Sequence, residues 1–250
     1  MPTELDEIVV DTADPAAHGA WWSHLLGWAA QPDPDGDVLL TPPPGEPGIP
    51  ILLERVPDPD AGSHRVHLDL RSRTLAEQRD LVARAEAAGG RRIDIGQGDV
   101  PWVVLEDPGG TRFCVLEPRL EYAEAGSLAA VVCLSPDPTA AARFWAGATG
   151  WGVTASEPYL ASVRAPGGRG PAVEFVHARR PPAGKNSVHL DVRPLPGGDR
   201  DVEVARLTTA GARPADVGQG GAPPDRISWV VLADPDGATF CVLAAPAVTG

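Results

Sequence analysis

The chain repeats itself, and that repeat constrains its fold more than any other feature. Val66-His67-Leu68-Asp69 returns as Val188-His189-Leu190-Asp191, and Gly96-Gln97-Gly98 returns as Gly218-Gln219-Gly220. Trp102-Val103-Val104-Leu105, Asp107-Pro108 and Phe113-Cys114-Val115-Leu116 return as Trp229-Val230-Val231-Leu232, Asp234-Pro235 and Phe240-Cys241-Val242-Leu243. Asp14-Pro15 and Gly27-Trp28 return as Asp137-Pro138 and Gly150-Trp151. The offset drifts from about 123 to about 120–122 and then to about 127, as it does when insertions are confined to loops. A period this long exceeds a solenoid unit. It describes two tandem domains, residues 1–118 and 128–250, joined by a Glu- and Ala-rich linker over residues 119–127.

Each copy of roughly 120 residues is large enough to bury its own core. The net charge of -13 excludes a phosphate-backbone partner, because nucleic-acid binding needs clustered Lys and Arg. No apolar run approaches the ~18–20 residues that span a bilayer, and the acidic start carries no export signal. Cys114, Cys133 and Cys241 are an odd number on apolar segments, the pattern of reduced core thiols. A cytoplasmic location is therefore expected.

Each copy reads strand, helix and about three strands, twice over. Asp14-Pro15 and Asp137-Pro138 supply an N-cap followed by Pro at the first helical position. Gly27 and Gly150 suit the left-handed residue that closes a helix. Arg65–Leu70 and Ser187–Val192 alternate as half-buried strands do. The Asp-Pro-x-Gly segments fit a tight turn before the last strand. The class is α+β, with four βαβββ modules.

This order, with His-Leu-Asp and Asp-Pro-x-Gly-x-x-Phe-Cys-Val-Leu, resembles the glyoxalase-like branch of the vicinal oxygen chelate superfamily. That superfamily also includes bleomycin-resistance proteins and extradiol dioxygenases. The resemblance implies two tandem domains with concave sheet clefts, and pairing of the two copies within one chain. Metal-using members place His, Gln or Glu on the first, fourth, fifth and last strands. Carried onto the N-terminal copy, these positions look like Glu7, Glu54, Arg65 (with His67 beside it) and Cys114. In the C-terminal copy they look like Ala130, Glu174, Ser187 (with His189 beside it) and Cys241. Because these sets depart from the metal enzymes, no cofactor is expected. A divalent metal held by Glu7, Glu54 and His67 is the alternative.

The residues themselves offer acid–base chemistry. His67 and Asp69, like His189 and Asp191, share a strand face, where a carboxylate can fix the imidazole tautomer. Glu7, Glu54 and Glu174 interrupt apolar strands. Trp102 and Trp229 are placed to stack on a planar ligand, although an aromatic on a strand is more often core. The cysteines have no adjacent cation to activate them. His18 and His24 are expected to face solvent. Glu7 against Ala130, and Asp11 against Leu134, make the N-terminal copy the more polar one and the expected active cleft.

These observations imply a protein that binds a small organic molecule. The leading expectation is a metal-independent acid–base enzyme of specialised metabolism, an isomerase, lyase or cyclase. The alternatives are a binding protein that sequesters an antibiotic and a metal-dependent glyoxalase- or dioxygenase-type enzyme.

Overall fold

The computed structural model describes residues 3–59, 63–218 and 229–246. Four βαβββ modules follow one another. The first comprises β1 (Thr3–Thr12), α1 (Pro15–Leu26), β2 (Ala29–Pro32), β3 (Val38–Thr41) and β4 (Ile51–Arg55). The second comprises β5 (Val66–Leu70), α2 (Leu75–Ala87), β6 (Arg91–Arg92), β7 (Val103–Glu106) and β8 (Arg112–Val115). The second copy opens with β9 (Leu128–Ser135), α3 (Pro138–Thr149), β10 (Gly152–Glu157), β11 (Leu160–Arg164) and β12 (Ala172–His177). It closes with β13 (Val188–Pro194), α4 (Arg200–Thr209), β14 (Arg213–Pro214), β15 (Trp229–Ala233) and β16 (Thr239–Leu243). No helix among the described residues is long and apolar enough to cross a membrane.

The helix ends form as their residue types dictate. Asp14 and Asp137 accept hydrogen bonds from the backbone N–H of Ala17 and Ala140, at 3.1 and 3.0 Å. Gly27 and Gly150 close α1 and α3 at φ of 73° and 71°, a backbone region that penalises any Cβ.

The modules do not pair copy by copy. One eight-stranded sheet runs β14-β15-β16-β13-β1-β4-β3-β2, uniting the first and fourth modules. The other runs β10-β11-β12-β9-β5-β8-β7-β6, uniting the second and third. The seams are antiparallel: β1 against β13, with Glu7 opposite Asp191, and β5 against β9, with Asp69 opposite Ala130. The two copies thus pair within the chain, and each concave face draws half its strands from each copy.

What holds each copy together is a clamp between its two modules. Trp22 on α1 donates its indole N–H to Asp107 Oδ2 at 2.7 Å, and Trp145 on α3 donates to Asp234 Oδ2 at 3.1 Å. The other oxygen of Asp107 accepts from Gly109 and Thr111 N–H, and that of Asp234 from Asp236 and Ala238 N–H. The Asp of Asp-Pro-x-Gly therefore shapes its own turn and ties it to the helix of the preceding module. Phe113 and Phe240 complete the joint, edge-on to Trp22 and Trp145 at 5.2 Å between ring centres in both copies.

His18 corrects an expectation. It is buried rather than solvent-facing, with Nε2 2.6 Å from Asp107 Oδ2, whereas His24 is exposed as expected. A Cβ on Gly109 would lie 2.6 Å from the His18 ring, so His18 requires glycine there. The second copy changes both positions together: Ala141 replaces His18, and Asp236 replaces Gly109 and bonds the Ser135 hydroxyl.

Asp107→Ala would strand the Trp22 indole and two turn N–H groups in a buried setting. It is expected to cost about 2–4 kcal/mol of unfolding free energy. Urea unfolding should show this as a lower midpoint at unchanged slope; an unchanged midpoint would show the clamp to be dispensable.

Candidate functional site

Strand alternation decides which side chains reach the concave faces. On β5, Val66, Leu68 and Leu70 join the main core beneath the helices, so His67 and Asp69 point the other way. On β8, Phe113 and Val115 go to that core and Cys114 to the concave side. On β12, Val173 and Phe175 go to the core and Ala172, Glu174 and Val176 to the concave side. The sheet joining the second and third modules thereby cups a cavity of about 520 Å³.

Across that sheet the cavity-lining residues follow strand order. Thr154 lies on β10, Ser162 and Arg164 on β11, Glu174 on β12, Val132 and Leu134 on β9, His67 and Asp69 on β5, and Cys114 on β8. Trp102, immediately before β7, forms one wall. Its indole N–H bonds Gln97 Oε1 at 2.8 Å, which gives the Gly96-Gln97-Gly98 turn a purpose. In the second copy, Gln219 and Gly220 of the matching turn lie outside the described residues.

The polar groups of the cavity are mutually arranged. The Tyr122 hydroxyl donates to Glu174 Oε1 at 2.7 Å. Burial raises the Glu174 carboxyl above the ordinary carboxylate range, and the Tyr122 bond offsets part of the rise. His67 Nε2 lies 3.4 Å from Asp69 Oδ1. Arg119 grips Glu117 with two nitrogens and sits over the Trp102 ring at 5.4 Å. Arg164 sits over the Tyr122 ring at 5.3 Å. Burial pushes the Cys114 thiol far up, and the Asp69 carboxylate adds to the shift, so Cys114 is not an activated nucleophile. Cys133 lies in the core with its thiol pushed up to about 12, again mainly by burial, and all three cysteines are free and buried.

The other concave face carries Glu7, Glu54, His189, Asp191 and Cys241, while Ile8, Val10, Ile51, Leu53, Leu190 and Val242 face the core. Here Glu7 stands directly opposite Asp191, where the cavity-bearing sheet has Ala130 opposite Asp69. Burial, and then the Asp6 and Glu54 carboxylates, raise Glu7 to about 7; burial, and then Glu7 and Glu54, push Asp191 well up, while burial raises Glu54 to about 7. Burial and nearby Lys185 lower His189 to about 3, so its imidazole stays neutral. Lys185 pairs with Asp11 at 2.7 Å. Among the described residues, the space beside His189 and Cys241 is only about 10 Å³. Trp229 begins β15, half-buried on the same sheet.

Two expectations are therefore corrected. Glu7 and Glu54 do not share a site with His67 and Cys114, because the first and second modules enter different sheets. Nor is there a purely N-terminal cleft to be the active one, since the large cavity takes His67, Asp69 and Trp102 from one copy and Glu174 from the other. Arg65 and Ser187 serve the backbone instead of a ligand, bonding the carbonyls of Leu134 and Ser63. Sequence reasoning missed Tyr122, which sits in the linker. A short 3-10 turn over Leu120–Tyr122 buries it against the cavity floor. A lone tyrosine in a Glu/Ala-rich connector was the available signal. Arg164 and Ser162 were also missed, on a strand that alternation alone left unremarkable.

Two clusters of side chains carry the donor atoms a metal ion needs. The ligand atoms of His67, Asp69 and Cys114 all lie within 4.8 Å of one another, as do those of His189, Asp191 and Cys241. Asp69 Oδ1 and Asp191 Oδ1 are buried without a hydrogen-bond partner. One nitrogen, one oxygen and one sulfur suit a borderline ion such as Zn²⁺ and not Mg²⁺. The residues fit such an ion.

Fold and site together define a two-copy protein in which one concave sheet, built from both copies, lines a cavity of about 520 Å³. The glyoxalase-like domain model matches residues 7–116 and again 130–243, and the chain belongs to that family. Among solved structures, glyoxalase I from Zea mays is similar over 97% of this chain and 92% of its own, at 14% identity and a TM-score of 0.68. A candidate dioxygenase from Bacillus subtilis is similar over 98% of this chain and 86% of its own, at 14% identity and a TM-score of 0.62. At such identities the likeness is one of fold. A search of curated proteins found no sequence match.

The opposed carboxylates make a testable contribution to stability. Glu7 and Glu54 hold protons to about pH 7 when folded, whereas an unfolded Glu releases its proton near ~4.3. Their contribution is fully present below the unfolded value and is lost as pH rises through about 7. The urea midpoint of the Glu7→Gln/Glu54→Gln variant should therefore gain on the wild type as pH rises from 4.5 to 7.5. A constant difference across that range would contradict the assignment.

Proposed function

We propose that the chain is an acid–base enzyme of the isomerase, lyase or cyclase type, acting on a small organic molecule in the cavity shared by its two copies. One observation carries the reading: the Glu174 carboxyl lies in a mainly apolar cavity, its affinity for protons raised by burial and its orientation fixed by the Tyr122 hydroxyl. A carboxylate whose pKa is raised is a stronger base, which suits it to abstracting a proton.

Glu174 would remove a proton from a carbon made acidic by a neighbouring carbonyl. His67, beside Asp69, would protonate the substrate at a second atom or the departing group. β12 and β5 flank β9, so the two groups stand about two strand spacings apart, roughly 10 Å between backbones. Side chains reaching inward from both strands span a small molecule lying over Val132 and Leu134.

A metal-assisted version is the second reading, favoured by the convergence of His67, Asp69 and Cys114 and by the unpartnered Asp69 oxygen. These three residues would hold the ion, which would polarise a substrate oxygen as a Lewis acid.

The test is hydrogen–deuterium exchange into a panel of small ketones and oxo acids in D₂O, followed by proton NMR. The wild type should catalyse exchange into at least one compound, and Glu174→Gln should slow it about 10²–10⁴-fold. Tight binding without exchange or conversion would replace the enzyme reading with sequestration. Activity lost to chelator and restored by Zn²⁺ would favour the metal-assisted version.

A further inference from the structure

Resting on that reading of the cavity, we propose that Arg164 and the Ser162–Thr154 hydroxyl pair form an anchor for an oxyanion. The ligand would then be an apolar molecule bearing a carboxylate or another acidic oxygen group. Of the two guanidinium groups lining the cavity, Arg119 is neutralised by its two-nitrogen contact with Glu117. Arg164 has no carboxylate within ion-pair distance among the described residues. Its hydrogen bond to the Gly170 carbonyl is a long one, 3.3 Å from Nη1. Its remaining N–H donors are available to a bound group in the fork geometry that matches an oxyanion.

The setting supports the same assignment. Arg164 is half-buried, with its guanidinium carbon 5.3 Å from the centre of the Tyr122 ring. Ser162, two residues earlier on β11 and so on the same face, is buried with its Oγ 2.8 Å from Thr154 Oγ1. Two hydroxyls bonded to each other use one O–H between them and leave the second free to donate. A cation and a free hydroxyl donor thus meet at one end of a cavity whose floor is apolar. In a chain carrying 34 acidic and 21 basic side chains, Arg164 faces the cavity with its charge felt by Glu174 but with no carboxylate in ion-pair contact among the described residues.

The spacing ties the anchor to the chemistry. β11 neighbours β12, with Ser162 opposite Glu174, so the anchor lies about one strand spacing (~5 Å) from the base. From β11 to β5 is three spacings, about 14 Å. An anion held at Arg164 would place the carbon next to its acidic group near Glu174 and extend its apolar body towards His67 and Trp102.

Two fluorescent probes of similar shape test this. 1-Anilinonaphthalene-8-sulfonate is anionic, and N-phenyl-1-naphthylamine is neutral. The wild type should bind both, and Ala155→Trp at the cavity rim should weaken both. Arg164→Gln should weaken the anion tenfold or more while leaving the neutral probe within twofold, and Arg164→Lys should recover part of the loss.

If Arg164 merely supports the charge of Glu174, Arg164→Gln would instead leave the carboxyl more protonated, and the anion would bind equally or more tightly. That result, with Ala155→Trp still blocking both probes, would overturn the anchor and leave the cavity reading standing. Binding of neither probe to the wild type would overturn both.

Discussion

Strand β5 of the first copy pairs antiparallel with β9 of the second, and β1 pairs in the same way with β13. The large cavity depends on the first of those seams. Strands β8 and β12 lie on the outer sides of β5 and β9, so the seam brings Cys114 and Glu174 to one concave face although they come from different copies. Without the seam, His67 and Asp69 would stand at a sheet edge. With it, they face Glu174 across β9. The Trp–Asp clamps instead tie the two modules of each copy together. The chain is thus held within each copy by buried aromatic and carboxylate contacts and between the copies by backbone ladders.

The repeat has kept the framework and let the two faces diverge. Both retain His, Asp and Cys at equivalent positions. Ala130 opposite Asp69 leaves one face open, whereas Glu7 opposite Asp191 crowds the other with carboxylates that must share protons. At this position one seam carries a small apolar side chain and the other a buried carboxylate.

Much of this was legible in the residues. Alternation on Val66–Leu70 and Val188–Val192 gave the correct faces for His67, Asp69, His189 and Asp191. The Asp-Pro starts and Gly ends of α1 and α3 formed as their chemistry requires. What periodicity cannot express is which sheet a strand joins, because a concave face looks the same whichever partner completes it. That is why Glu7 and Glu54 were grouped with His67. Tyr122 was hidden because a connector has no period to break, and His18 because the carboxylate that buries it lies 89 residues away.

The account centres on Glu174 as a base whose proton affinity is set by burial and tuned by Tyr122. The direct measurement is a carboxyl-carbon NMR titration of Glu174 in the intact chain and in Tyr122→Phe. The account predicts a midpoint above the ordinary ~4.3 of an exposed Glu, rising further when the hydroxyl that favours the ionised form is removed. A midpoint at or below the ordinary value, unmoved by Tyr122→Phe, would contradict it.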